Sequence, residues 1–363
     1  MSDSLDRIKE MLCKSHVVDL GPEDFLSSGS TLVNLACTGT IGGGFVRGRY
    51  HFLVGDSRSG KTFMGLTCLA EACRNPVFND YRLIYDDVEG GVLLDIEKFF
   101  GRKVVERLEP PGFDEEGNPV YSTTVEDFYY HVDDALNERK PFIYVLDSQD
   151  SLSSSFEIDK FSEHKDAHRK GKEASGSYGD AKAKVHSSSL RRLMGPLRDT
   201  KSILIILNQT RDSFDLFQKS TYSGGRALLF YATLVVWSSV KGSIEKVVRG
   251  KKREIGIYSK VHVKKNRVTG RDRTVVVPIY HSYGIDDIGG CVDFLVDEGV
   301  WEDSKGYITV SDFGDLNGKK MRREELIRVI EENDLEDSLK QMVGKVWNEI
   351  EESCSVIRKS RYL

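Results

Sequence analysis

Short unbroken apolar runs alternate with stretches in which apolar residues recur every three or four positions, and this alternation organises the chain. Tyr50-His-Phe-Leu-Val54, Phe142-Ile-Tyr-Val-Leu146 and Ile203-Leu-Ile-Ile-Leu207 are runs of the kind buried in a parallel sheet, and Arg82–Asp86 predicts a further strand. The intervening periodicity predicts helices over Lys61–Cys73, closed by Pro76, over Val92–Phe100, and over Val125–Asn137, opened by a capping box of Thr123 with Glu126. Leu190, Leu193, Met194 and Leu197 mark another helix, and Glu109 to Ser122, with two Pro/Gly clusters, is an insertion loop or hairpin. Strands alternating with helices imply an α/β fold: a mostly parallel sheet with helices on both faces.

After Gly224 the strands lengthen to Thr233–Val240, Gly256–Lys265 and Thr274–Ile279, joined by basic turns, which predicts an antiparallel extension of the sheet. Ile288–Glu298 reads as a helix, Trp301 to Val310 as a hairpin around Lys305-Gly306, and Arg322 to Glu352 as two helices forming a small C-terminal helical cap. Leu5, Ile8, Met11 and Leu12 fit one face of a short N-terminal helix, suited to packing on a neighbouring subunit or on its own domain. The expected division is a lead over 1–30, a core over 31–312 and the cap over 313–363. Ser153 to Val185, basic and carrying Gly171, Gly176 and Gly179, reads as a long structureless loop, of a length that is functional or disordered until bound.

Composition narrows the classes. At 363 residues and 39% hydrophobic the chain is globular, with room for one large core and smaller attachments. A net charge of -5 argues against a nucleic-acid partner, but Lys241 to Arg273 holds twelve cations against Glu245, Glu254 and Asp272, so local clusters count for more than the sum. The six cysteines show no metal spacing, and His164 with His168 are read as solvated loop residues rather than half a metal site. Without a signal peptide or a run able to span a bilayer, the expected location is the cytoplasm, or a host's cytoplasm or nucleoid if the gene is viral.

The chemistry begins at Gly55-Asp56-Ser57-Arg58-Ser59-Gly60-Lys61-Thr62, between the first strand and the first long helix. The pattern G-x-x-x-x-G-K-[ST] is a phosphate-binding loop: its N–H groups wrap phosphates, Lys61 neutralises their charge and the Thr62 hydroxyl ligates Mg²⁺. Asp147 ends an apolar strand, where a carboxylate reaches Mg²⁺ through its water shell. Glu89, at the C-terminal edge of another strand, is the candidate to orient or deprotonate an attacking water, with Asp86 and Asp87 as rivals.

The order of these motifs, then Leu207-Asn208-Gln209, then Gly224-Gly225-Arg-Ala-Leu-Leu-Phe-Tyr231-Ala, then Val263-Lys-Lys-Asn-Arg267, resembles the RecA family of homologous-recombination ATPases over roughly residues 30 to 310. The Lys-x-Arg form of the last element, and the lack of a large C-terminal domain, look most like the phage UvsX-type members. The resemblance implies a RecA-like P-loop ATPase core that binds ATP and Mg²⁺ and forms helical filaments on single-stranded DNA. It further implies exchange with a homologous duplex, and a loader and a single-strand-binding protein as partners. Gln209 matches the glutamine that senses the γ-phosphate, and Tyr280 joins the nucleotide contacts. The following loop, Thr210 to Gly224, offers Arg211, Phe214, Phe217, Lys219, Gly224 and Gly225 to DNA, unless its phenylalanines pack in the core. Arg169, Lys170 and Lys172 do so from the first loop. Lys265 and Arg267 match residues that reach the ATP of the adjacent subunit, the other reading being a basic surface strand. Phe230 matches an interface aromatic, beside which Leu229 stands where the family often has lysine. Two alternatives remain, a DnaB-like or RadA-like ring motor and a weakly hydrolysing mediator. The first would normally bring another folded or zinc module, and the second sits badly with Lys61, Glu89 and Asp147 together.

Overall fold

The computed structural model describes residues 20–90, 94–170, 181–212 and 220–359. The N-terminal helix expected around Leu5 to Leu12, and Lys172, Phe214, Phe217 and Lys219, lie outside them. Strand β1 (Phe25–Leu26) pairs antiparallel with β2 (Phe45–Val46) around helix α1 (Thr31–Thr38). Then come β3 (Tyr50–Gly55), α2 (Lys61–Arg74), β4 (Arg82–Asp87), α3 (Ile96–Phe100), α4 (Arg102–Arg107), β5 (Leu108–Glu109) and a small hairpin of β6 (Gly112–Phe113) and β7 (Pro119–Val120). α5 (Val125–Asn137), β8 (Phe142–Asp147), α6 (Ser155–Arg169), α7 (Ala181–Thr200), β9 (Ile203–Asp212), β10 (Ser220–Tyr222) and α8 (Arg226–Tyr231) follow. The chain closes with β11 (Leu234–Val248), β12 (Lys251–Asn266), β13 (Arg273–Tyr280), β14 (Gly284–Ile285), α9 (Asp287–Asp297), β15 (Glu302–Ser304), β16 (Tyr307–Thr309), β17 (Lys320–Arg322), α10 (Arg323–Glu332) and α11 (Glu336–Ser353).

The main sheet runs β14-β13-β12-β11-β3-β9-β8-β4-β5, with β10 hydrogen-bonded to β9. From β11 to β5 every pairing is parallel, and β12, β13 and β14 extend the sheet antiparallel. The pleat sorts the apolar runs onto two faces. Phe52, Tyr144 and Ile206 pack with α5 and α7, whereas Leu53, Val145 and Ile205 pack with α1, α2 and α9. Each fully buried side chain of this size contributes roughly 1.5–3 kcal/mol, so both faces hold the strands in register.

Several expectations change. Residues 155–169 are helical rather than structureless: Ser154 Oγ accepts from the Glu157 N–H at 3.2 Å while Glu157 returns a carboxylate oxygen to the Ser154 N–H at 2.9 Å. That capping box starts the helix. The cap of α5 is Thr124 with Asp127, one residue later than expected. The helix expected over Val92–Phe100 begins at Ile96, where Asp95 caps it, and a second helix follows after Gly101. Phe25 and Leu26 are buried within the core, and β15, β16 and β17 form one sheet across position 312.

Candidate functional site

The strand edge that carries Gly55 also carries Glu89, Asp147 and Gln209, because β3, β4, β8 and β9 are parallel and end together. The loop leaving β3 is braced from the neighbouring strands. Asp56 N–H donates to Ser238 O at 3.1 Å, Ser59 Oγ lies 2.7 Å from Ser238 Oγ, and Ser259 Oγ donates to Ser59 O at 2.8 Å. Close approach requires glycine at both ends. A Cβ on Gly55 would lie 2.0 Å from Ser238 Oγ, and Gly60, with φ 94°, sits against Ile279. Arg58 also adopts a left-handed conformation and pairs with Glu254 on β12 at 2.9 Å.

Lys61 Nζ donates to Gly55 O and Asp56 O, both at 2.9 Å, which holds the ammonium over the loop. Burial lowers its pKa, while Asp147, Asp150, Glu89 and Asp56 oppose that shift. Thr62 Oγ1 donates to Asp147 Oδ2 at 2.7 Å and Tyr85 Oη to the same oxygen at 2.8 Å. Burial raises the Asp147 carboxyl above its ordinary range, with these two hydrogen bonds opposing it. A hydroxyl and a carboxylate in contact beside a glycine-lined loop and a lysine form a donor set that fits a phosphate with a hard divalent cation. Among the described residues there is no group of three or more His, Cys, Asp or Glu that could hold a metal ion.

Glu89 Oε1 accepts from Ser148 Oγ at 2.6 Å, Ser151 Oγ at 3.0 Å and Gln209 Nε2 at 3.1 Å. Its rival Asp86 is fully buried and turned away, bound by Ser122 N and Oγ and by Tyr144 Oη at 3.1, 2.6 and 2.6 Å. Asp87 lies level with Asp147 on the adjacent strand. Asp150 Oδ1 accepts from the Gln209 N–H at 2.9 Å, so it anchors the strand that carries Gln209. Sequence reasoning missed Tyr85, Asp150 and Ser151. The polar run Asp147-Ser-Gln-Asp-Ser151 directly after a buried strand was the available signal.

Lys265 and Arg267 stand elsewhere. Lys265 pairs with Val235, level with Phe52 midway along β3, and the Arg267 N–H donates to Thr233 O at 3.0 Å beside Tyr50, where β3 begins, whereas Gly55 pairs with Ser238 at the edge where β3 ends. Lys265 Nζ donates to Leu229 O at 2.5 Å and Phe230 O at 2.9 Å, and Arg267 Nη2 to Phe230 O at 2.8 Å. Burial, then the Arg267 charge, lowers the Lys265 ammonium to about 8. Phe230, 63% exposed, lies under the Arg267 guanidinium, so the three predicted interface residues form one surface cluster remote from their own phosphate loop. Tyr280 is not brought to the loop either: Ile279 faces Gly60, and the Tyr280 hydroxyl lies by Arg323. Arg169 and Lys170, at the end of α6, are exposed, and Arg211 lies on β9 opposite Thr221 of β10. Gly224 and Gly225, with φ 93° and 83°, open α8.

Comparison with known proteins agrees with this architecture. The family model described as the RecA N-terminal domain matches residues 163–286, a stretch that begins after Asp147 and so owes nothing to the phosphate loop. The chromosomal RecA protein of Lactococcus lactis subsp. lactis (strain IL1403) is 27% identical over 86% of this chain and 75% of its own length. The RecA protein of Clostridioides difficile (strain 630) is 25% identical over 99% and 96% of the two chains, and that of Clostridium acetobutylicum is 27% identical over 95% and 93%.

Proposed function

We propose, on the RecA N-terminal match and the RecA relatives that span most of the chain, that it is a RecA-type recombinase, a single-stranded-DNA-dependent ATPase whose copies form a helical filament, each completing the active site of the next. The loop over 55–62 and Lys61 would hold the ATP phosphates, and Thr62 with Asp147 the Mg²⁺ ion, which neutralises charge on the phosphates when bound. Glu89, fixed by Ser148 and Ser151, orients and deprotonates the attacking water. Gln209 shares Glu89 Oε1, so a movement of β9 changes the environment of the base. Lys265 and Arg267 supply the remaining positive charge to a neighbouring copy.

Single-stranded DNA would lie along the segments after α6 and β9, held by Arg169, Lys170, Lys172, Arg211 and Lys219 with Phe214 and Phe217 stacking on bases. This contact would be strongly salt-dependent and nearly sequence-independent. A homologous duplex is the second nucleic-acid partner, and a loader and a single-strand-binding protein are the protein partners. The Lys265-Asn266-Arg267 form is what favours the UvsX-type branch.

The observation that supports the shared-site reading is that Arg267 lies at the edge where β3 begins and the phosphate loop leaves the edge where it ends. Lys61→Ala and Arg267→Ala should each lower turnover on single-stranded DNA, the latter by about 10³-fold if Arg267 acts as an arginine finger does. An equal mixture should regain activity, because about a quarter of head-to-tail contacts then join an intact loop to intact cations. A mixture no more active than its two components would sink the shared site.

A further inference from the structure

The two segments assigned above to DNA return to the sheet at one place. Ala183, in the first turn of α7, packs on Gly225, where a Cβ would lie 2.6 Å from the Ala183 Cβ. Gly224 lies on the Gln149 amide, where a Cβ would meet Nε2 at 3.0 Å. Ser223, just before them, donates its hydroxyl to Gln149 Oε1 at 3.3 Å, and its carbonyl accepts from Asn208 Nδ2 at 3.1 Å. The Gln149 amide Nε2 is 3.0 Å from His186 Nε2, and His186 Nδ1 is 2.8 Å from Tyr129 Oη. Gln149 and His186 are both fully buried.

The donors and acceptors fix the direction of this chain of bonds. An amide NH₂ only donates, so His186 Nε2 accepts and the ring proton sits on Nδ1, directed at Tyr129. Burial lowers the imidazole to about 3, so the ring is neutral at working pH. Gln149 is flanked by Ser148 and Asp150, which hold Glu89 and the Gln209 N–H. The segment after Asp147 therefore faces two ways. Ser148, Asp150 and Ser151 serve the nucleotide side, and Gln149 serves the loop roots.

We propose that His186 is a positioning residue that, through Gln149, couples the roots of both DNA segments to the strand end carrying Asp147 and Glu89. The proposal rests on the functional reading above. Movement of Ser223-Gly224 or of the first turn of α7 displaces Gln149, because the buried amide is left without a partner unless His186 and Ser223 move together. Displacing Gln149 shifts Ser148 and Asp150, hence Glu89 and Gln209. Nucleotide and DNA thus bias the same packed cluster, and the coupling is reciprocal.

The test is the affinity of the full chain for a fluorescent oligothymidine, by anisotropy, with and without a non-hydrolysable ATP analogue. His186→Leu, which keeps the volume but no hydrogen bond, is expected to reduce the tightening caused by the analogue by about 3- to 30-fold while leaving nucleotide-free affinity within about twofold. His186→Gln, which donates and accepts, should retain most of it. A folded His186→Leu protein, judged by its melting transition, with undiminished tightening overturns the proposal. Should it not fold, Ser223→Ala removes one hydroxyl at the loop root and must reduce the tightening in the same direction, and an undiminished value there overturns it equally. Wild-type binding indifferent to the analogue defeats the functional reading and this inference with it. A normal wild-type response unaltered by these substitutions defeats this inference alone.

Discussion

Two buried imidazoles make the stability of the protein respond to acid. His51, on β3, has its Nε2 between the Val46 N–H and O at 3.1 and 3.0 Å, and burial lowers it to about 4. His186 is lowered to about 3. Above pH ~6.5 both rings are neutral in folded and unfolded chains alike and stability is unaffected. As pH falls, the unfolded chain takes up protons that the buried rings refuse, and stability is lost down to each folded value. Asp86 and Asp147, raised by burial, act in the opposite sense, since the folded chain holds their protons more tightly. A comparison of variants therefore isolates the rings. The unfolding free energy of wild type, taken from urea titrations, should fall between pH 6.5 and 4 more steeply than that of His186→Gln, the difference approaching ~1.4 kcal/mol per pH unit. Parallel curves would show that His186 is not held neutral. At this scale the sequence singled out Lys61, Thr62, Asp147 and Glu89 through spacing and position at strand ends, and the parallel strands bring these four to one edge. It could not announce their partners, because Glu89 meets Ser148 and Gln209 across 59 and 120 positions and only the sheet order joins them.

Strands and helices were legible where one physical signal dominates. Apolar runs buried on both faces gave β3, β8 and β9 within a residue or a few of their bounds, whereas α6 escaped because glycines further on and a high charge outweighed one capping box. The hairpin of β11 and β12 is longer than its apolar pattern indicated. Ten residues, Glu245 to Glu254, are exposed and pair only across the ribbon, where propensity and the turn at Arg249-Gly250 suffice without a core. Lys246, Arg249, Lys251, Lys252 and Arg253 make this tip basic, and of these Lys252 is paired with Glu245 at 2.9 Å. Glu245 and Glu254 are cross-strand partners, so replacing the eight residues between them by Asn-Gly closes a two-residue hairpin. The melting temperature should stay within about 2 °C, since no buried apolar surface is removed. The slope of log affinity for single-stranded DNA against log salt should flatten by about 0.7 for each phosphate that the shortened tip no longer neutralises. An unaltered slope would show that the tip does not touch nucleic acid.

Across the whole molecule the informative fact is the separation of Arg267 from Gly55 by the length of β3, about 15–20 Å at ~3.3 Å per residue. An interface joining one edge to the opposite edge of a second copy is heterologous and does not close upon itself unless the rotation allows a ring. Such a stack has a direction, and its two extremities differ. If Arg267 completes a neighbour's pocket as proposed, one terminal copy would present its cations to solvent, and the other a loaded pocket that no neighbour faces. The latter would then be the slowest to turn over and behave as a durable tip, while copies within the row would lose their triphosphate first. Turnover per copy should accordingly climb with oligonucleotide length and level off as the terminal share vanishes. A rate independent of length would mean that the pocket is whole in every copy.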